Sequence, residues 1–161
     1  EDLNVLIGQF EIPMNVTQEV FTVAKNSGIK TILNPAPAKI PSDELLQLTD
    51  WFVPNEVEFS TITGTDAYSD RNLISYAKTI SSNLIVTLGE NGAALVLENS
   101  VIKIPAPKVS AVDTTGAGDA FVGAFAFGIA SGKSPEESIS LGVKKASDSV
   151  TRAGTQSSYK A

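Results

Sequence analysis

Short apolar runs alternate with amphipathic segments through the N-terminal part of the chain, and this alternation is the strongest constraint on its fold. Most of the apolar runs are nearly continuous, as expected of strands covered on both faces in a parallel sheet. They lie at 5–7, 31–33, 51–53 and 84–87, and the helical patterns between them lie at 16–27, 42–48, 55–64 and 69–82. This order predicts a layered α/β architecture with right-handed crossovers.

The pattern changes after the fourth apolar run. Segments 93–97 and 101–105 predict a hairpin turned through Glu98-Asn99-Ser100. The apolar segment 116–130 predicts a buried helix, and Ser134-Pro135 predicts the start of another, with Ser134 as its N-cap. Because no linker or repeat interrupts the chain, we predict a single domain over residues 1–161.

Composition excludes several kinds of chemistry. The 161 residues include no cysteine and no histidine, which rules out Cys or His zinc sites and a Ser-His-Asp triad. A net charge of −6 argues against a general nucleic-acid binder. No apolar run approaches the length of a membrane span, and absence of cysteine favours a cytoplasmic location. The start on Glu1 without Met favours a cut inside a larger protein.

A glycine-rich loop, Asp113-Thr-Thr-Gly-Ala-Gly-Asp119, leads directly into an apolar helical segment. Small residues there let backbone N–H groups approach an anion, which the helix dipole also favours. Asp119 beside that anion makes chemical sense if it accepts a proton from an attacking hydroxyl during phosphoryl transfer. The spacing alone leaves a second interpretation open, an Asx-type cap with a tight turn and no function.

This heptad is similar to the C-terminal signature of the ribokinase-like (PfkB) carbohydrate kinases. Other segments resemble, in the same order, the ribose-phosphorylating members of that family: 9–11, 34–38, 54–58, 87–92 and 150–158. The resemblance covers essentially the whole chain, but only the C-terminal half of such a kinase. It implies a three-layer α/β/α fold with a mostly parallel sheet, lacking the N-terminal part and the lid.

The resemblance also implies catalytic and substrate roles. Asp119 would be the general base that deprotonates the primary hydroxyl of the sugar. The N–H groups of Gly116, Ala117 and Gly118 would form an anion hole for the γ-phosphoryl group of ATP. Glu11 would bind sugar hydroxyls.

The nucleotide and Mg²⁺ would be held by two further segments. Asn55 and Glu58 match a family motif that holds the phosphates and hydrated Mg²⁺, and three-residue spacing places both on one helix face. Thr87, Gly89 and Gly92 match the loop that passes beside the nucleotide. Without the resemblance, the first segment is also typical of solvated acids at a helix start. The second is also typical of an ordinary turn that binds nothing.

A monovalent-cation site, occupied by K⁺, is implied as well, mostly through backbone carbonyls. The matching residues are Asp113, Thr115, Ser149, Arg152, Gly154 and Ser158. Gly154 is also typical of a residue that ends a helix. One position departs from the family: Val143 stands where an asparagine usually contacts adenine, so either the adenine contact is apolar here or the alignment is locally offset.

The implied activity is ATP-dependent phosphorylation of D-ribose at its 5-hydroxyl by a longer chain, with Glu11 and the 34–38 segment favouring ribose. Another sugar or nucleoside kinase of the family, or an inactive nucleotide-binding fragment, are the alternatives. Sugar contacts in the family come largely from the N-terminal half, so little turnover is expected of residues 1–161 alone. The full-length enzyme is expected to be a homodimer, with no nucleic-acid or membrane partner.

Overall fold

The computed structural model describes residues 3–155. The chain divides into two compact units. The first contains the residues up to Leu88 together with Ala94–Ile102, and the second contains Gly89–Ala93 together with the residues from Lys103 onward.

The elements follow the predicted order. The strands are β1 (Val5–Gly8), β2 (Lys30–Leu33), β3 (Trp51–Phe52), β4 (Asn83–Thr87), β5 (Ala93–Val96) and β6 (Val101–Ile104). The helices are α1 (Met14–Asn26), α2 (Asp43–Gln47), α3 (Glu56–Thr63), α4 (Asp70–Ala77), α5 (Ala117–Ala130) and α6 (Pro135–Ser149). A short 3₁₀ turn, Gly89–Asn91, follows β4.

The strands form one six-stranded sheet in sequence order, β1 to β6. The first four are parallel, with Ile7 opposite Ile32, Ile32 opposite Trp51, and Trp51 opposite Asn83. A hydrogen bond from Leu97 N to Ser100 O, 2.8 Å long, closes the predicted turn between β5 and β6. The predicted α/β class with a mostly parallel sheet is confirmed.

The core of the first unit lies under the parallel strands and is rich in phenylalanine. Phe21, Phe52 and Phe59 are almost completely buried. The ring of Phe59 meets Tyr76 edge-on at 5.5 Å between centroids, a favourable aromatic geometry. Burial of these large side chains contributes to the apolar driving force that places α1, α3 and α4 against the strands.

In the second unit, α5 and α6 pack closely because two glycines lie between them. A Cβ on Gly128 would come within 2.6 Å of Ser138 Oγ, and one on Gly142 within 2.9 Å of the Phe121 ring. Ser134 is the N-cap of α6, as predicted: its Oγ accepts from Glu137 N.

Two helices differ from the pattern-based expectation. α4 ends at Ala77, five residues before the predicted end, because the chain must turn at Lys78 to enter β4 at Asn83. The prediction of a buried α5 is correct on one face only, since Phe127 is 65% exposed. Apolar content alone did not distinguish the two faces of this helix.

Candidate functional site

Polar residues collect where parallel strands of the first unit end. Asn34 directly follows β2, Asn55 follows β3 after Val53 and Pro54, and Thr87 is the last residue of β4. Asn55 and Thr87 form a parallel bridge, and Thr87 N donates to Pro54 O at 3.0 Å. In open α/β sheets ligands bind at this carboxyl end of the strands.

Asn55 and Glu58 bind each other through a capping box at the start of α3. Glu58 N donates to Asn55 Oδ1 at 2.7 Å, and Asn55 N donates to Glu58 Oε2 at 2.8 Å. The Glu58 residue is only 7% exposed. The alternative of a solvated acid at the helix start is therefore wrong for Glu58, which is a buried carboxylate with a fixed orientation.

A second polar side chain, Asn34, also contacts that carboxylate. Its Nδ2 lies 3.4 Å from Glu58 Oε2 and 2.9 Å from Val53 O, and its Oδ1 accepts from Gln9 Nε2 at 2.8 Å. Burial raises the pKa of the Glu58 carboxyl above its ordinary value, although the hydrogen bonds from Asn55 and Asn34 act in the opposite direction. Neither Gln9 nor the side chain of Asn34 has a role predicted from the sequence.

Glu11 lies on the loop after β1 and is exposed. The loop is anchored by its neighbour Phe10, which is buried and whose N–H donates to Ala36 O at 2.8 Å. The Ala36–Pro37 peptide bond is cis. The segments 9–11 and 34–38, separate in the sequence, thus lie side by side.

The turn after β4 contains two of the predicted nucleotide-binding residues. Gly89 is exposed and opens the 3₁₀ turn, whereas Gly92 is buried and has φ 88°. A Cβ on Gly92 would lie 2.0 Å from Ile104 O. Gly92 is therefore required by packing of the turn against the end of β6, whatever else it does.

The glycine-rich loop forms the N-terminus of α5. Gly116 is the N-cap residue with φ 79°, a conformation that glycine adopts without strain, and Asp119 is exposed in the first turn. Ala117 N donates to Thr114 O at 3.2 Å. Gly118 is exposed, and among residues 3–155 no atom outside the backbone of α5 and the neighbouring residues would approach a Cβ there within 4 Å.

Asp113 ties the start of this loop to the segment after α6. Its Oδ1 accepts from Thr115 N at 2.9 Å and its Oδ2 from Gly154 N at 3.0 Å. These bonds, from Thr115 first and then Gly154, lower the pKa of the Asp113 carboxyl. Val150 O accepts from Asp113 N at 3.2 Å.

The structure therefore brings most of the predicted monovalent-cation residues together. Ser149 is buried, and its carbonyl accepts from Arg152 N at 3.3 Å. The Arg152 guanidinium forms a bidentate ion pair with Asp148. Ser158 lies outside the described residues.

Val143, at the position where an asparagine is usual in the family, is 5% exposed within α6. It follows Gly142, which packs against Phe121 of α5. Val143 thus contributes to the apolar packing of its unit.

Within residues 3–155, no group of three or more acidic side chains could enclose a metal ion. Mg²⁺ is commonly held by one or two carboxylates together with substrate phosphates and waters. The single buried carboxylate of Glu58 fits that mode of binding. The same described residues include no helix long and apolar enough to cross a membrane.

Comparison with known proteins relates the whole chain to one family. The profile of the pfkB family carbohydrate kinases matches residues 4–161. The chain is 37% identical to a ribokinase from Haemophilus influenzae, covering 95% of this chain and 51% of that protein. It is 36% identical to a deoxyribokinase from Salmonella typhi, covering 99% of this chain and 55% of that protein.

Among solved structures, Arabidopsis thaliana ribokinase complexed with ribose and ATP superimposes with a TM-score of 0.88 at 30% identity. The match covers 96% of this chain and 52% of that one, so the chain spans about half the length of the relatives it matches. The predicted resemblance and fold class are confirmed: the chain belongs to the pfkB family of carbohydrate kinases.

Proposed function

We propose that the full-length protein transfers the γ-phosphoryl group of ATP to the 5-hydroxyl of D-ribose, giving ribose 5-phosphate. The observation that carries this proposal is the loop 113–119, in which Gly116 caps α5 in a left-handed conformation and Asp119 occupies the first turn. A ribokinase bound to ribose and ATP is among the similar structures, which supports this choice of substrates.

Asp119 is assigned the role of general base, because its carboxylate is exposed and lies beside a helix N-terminus that favours an anion. It removes the proton of the attacking hydroxyl. The N–H groups of Gly116, Ala117 and Gly118 stabilise the charge on the transferring group. For this, Ala117 N–H must leave Thr114 O, to which it now donates at 3.2 Å.

Asn55 and Glu58 are assigned to the phosphates and to Mg²⁺ with its bound water. When bound, Mg²⁺ would neutralise part of the negative charge of the phosphates. Thr87, Gly89 and Gly92 shape the path of the nucleotide at the end of β4. Glu11, on the exposed loop after β1, binds hydroxyls of the sugar.

K⁺ is assigned to the region of Asp113, Thr115, Ser149, Arg152, Gly154 and Ser158. The bonds from Thr115 N and Gly154 N to Asp113 support it, since they hold the loop against the segment after α6. Stimulation by K⁺ is expected. Equal rates in K⁺ and in tetramethylammonium buffer would contradict this assignment.

The function is tested with the full-length protein, ATP and Mg²⁺, using ribose and 2-deoxyribose as parallel acceptors. NMR of the product identifies the phosphorylated hydroxyl. Ribose 5-phosphate as the preferred product supports the proposal. Preference for 2-deoxyribose would favour the second candidate, which the Salmonella typhi deoxyribokinase suggests, and turnover of neither sugar would overturn both.

A further inference from the structure

Asn34 lies in the hydrogen-bond network at the carboxyl end of the parallel strands. It is 7% exposed, and both ends of its amide group are engaged. Oδ1 accepts from Gln9 Nε2 at 2.8 Å, which leaves Nδ2 facing Val53 O and Glu58 Oε2. Because Gln9 holds the oxygen side, the amide cannot rotate without losing hydrogen bonds, and a donor always faces Glu58.

The carboxylate of Glu58 is held from two directions on one oxygen. Within residues 3–155, this carboxylate accepts hydrogen bonds from Asn55 N at 2.8 Å and from Asn34 Nδ2 at 3.4 Å, and both donors reach Oε2. Because both donors reach Oε2, they hold that oxygen in place, and Oε1 is the oxygen assigned to a ligand. Neither partner carries a positive charge, so the negative charge of Glu58 is oriented without being neutralised.

We infer that Asn34 is a positioning residue that orients the Glu58 carboxylate for Mg²⁺ and the phosphates. This inference rests on the proposed role of Glu58. Asn34 comes from the end of β2, whereas Glu58 lies at the start of α3. Because Gln9 binds Asn34, the loop after β1 is linked to the start of α3 as well. Partners that orient a metal-binding carboxylate typically contribute 10- to 100-fold to metal affinity.

The experiment measures ATP binding to the full-length protein by calorimetry, once with excess Mg²⁺ and once with EDTA. The dissociation constant in EDTA divided by the dissociation constant with Mg²⁺ reports the contribution of Mg²⁺. If the role of Asn34 is purely structural, its replacement leaves this ratio unchanged. Asn34→Ala is expected to reduce this ratio about tenfold. Asn34→Ser, which is also too short to reach Glu58, serves the same purpose if the alanine variant does not fold.

Ser82→Ala is the matched control. Ser82 is also 7% exposed and donates to Leu46 O at 2.7 Å, just before β4 begins, at the amino end of the sheet. Its loss is expected to lower the melting temperature while leaving the Mg²⁺ ratio unchanged. A ratio that falls equally in Ser82→Ala and Asn34→Ala would overturn the inference.

Glu58→Gln distinguishes the role of Asn34 from the role of Glu58. If Glu58→Gln lowers the ratio and folded Asn34 variants do not, the inference about Asn34 fails and the proposed role of Glu58 stands. If Glu58→Gln leaves the ratio unchanged, the proposed role of Glu58 itself fails. The double variant Asn34→Ala/Glu58→Gln is expected to match Glu58→Gln alone, and a further drop would contradict action through Glu58.

Discussion

The two ends of the parallel strands each hold a partly or largely buried carboxylate, in opposite surroundings. At the amino end, Asp50 Oδ1 pairs with Lys25 Nζ at 2.8 Å, while Oδ2 accepts from Thr31 N at 2.8 Å. At the carboxyl end, the hydrogen bonds of Glu58 within residues 3–155 come from the neutral groups of Asn55 and Asn34.

The pKa values of the two groups move in opposite directions. Burial would raise the pKa of Asp50, but Lys25 and Thr31 outweigh burial and lower it. Burial dominates at Glu58 and raises its pKa. A carboxylate with a cation partner contributes to stability, whereas one held without such a partner is typical of a functional site.

The largest effect is expected at a third carboxylate, Asp119, which is exposed. Asp119→Ala in the full-length enzyme should lower kcat by about 10²- to 10⁴-fold, because general-base catalysis is lost. Steady-state kinetics with ATP and ribose measure this. Glu136→Ala is the control, since Glu136 is also an exposed acid in the first turn of a helix. Unchanged turnover in Asp119→Ala would remove this residue from the mechanism.

Asp50→Asn tests the amino end of the sheet. The variant should lower the free energy of unfolding by about 1–3 kcal/mol, because it removes a charged acceptor for Lys25 and Thr31. Urea denaturation measures the loss, and kcat/KM should remain at the wild-type value. If Asp50→Asn has normal stability and reduced activity, the amino end of the sheet is functional and its assignment as a stabilising region is wrong.

The stabilising contribution of Asp50 should depend on pH. The pKa of folded Asp50 is lowered, so its contribution is fully present above the unfolded pKa of about 3.9 and is lost as pH falls through the folded pKa. The stability difference between wild type and Asp50→Asn should stay constant from neutral pH down to about pH 5 and shrink below about pH 4. Denaturation curves across this range measure it, and a difference independent of pH would refute the prediction.

Glu58→Gln should change stability less than Asp50→Asn, by less than about 1 kcal/mol. Glutamine keeps an acceptor for Asn55 N, as capping boxes allow, and removes a charge that burial disfavours. Thermal and urea unfolding check this expectation. If Glu58→Gln loses as much free energy of unfolding as Asp50→Asn, the carboxylates at the two ends of the sheet contribute equally to stability and the comparison fails.

Much of the fold was predictable because its signals are local. The apolar runs of β1, β2 and β4 are strands with the predicted neighbours, and Ser134-Pro135 starts α6. The motif Asn-x-x-Glu at 55–58 also matches a capping box, a signal that could have identified the bond between Asn55 and Glu58. The early end of α4 and the exposed face of α5 depend on where the chain must go next, which no local pattern contains.

The sequence by itself determined the α/β class, the family and the glycine-rich loop at the start of α5, because periodicity and motif spacing are properties of neighbouring residues. Only the tertiary structure decided that Glu58 is buried, that Asn34 contacts it from the end of β2 while Gln9 holds Asn34 from the loop after β1, and that Gly92 packs against Ile104 O. Those contacts join residues far apart in the chain. Their burial and electrostatics arise when the parallel strands and the hairpin bring their ends together.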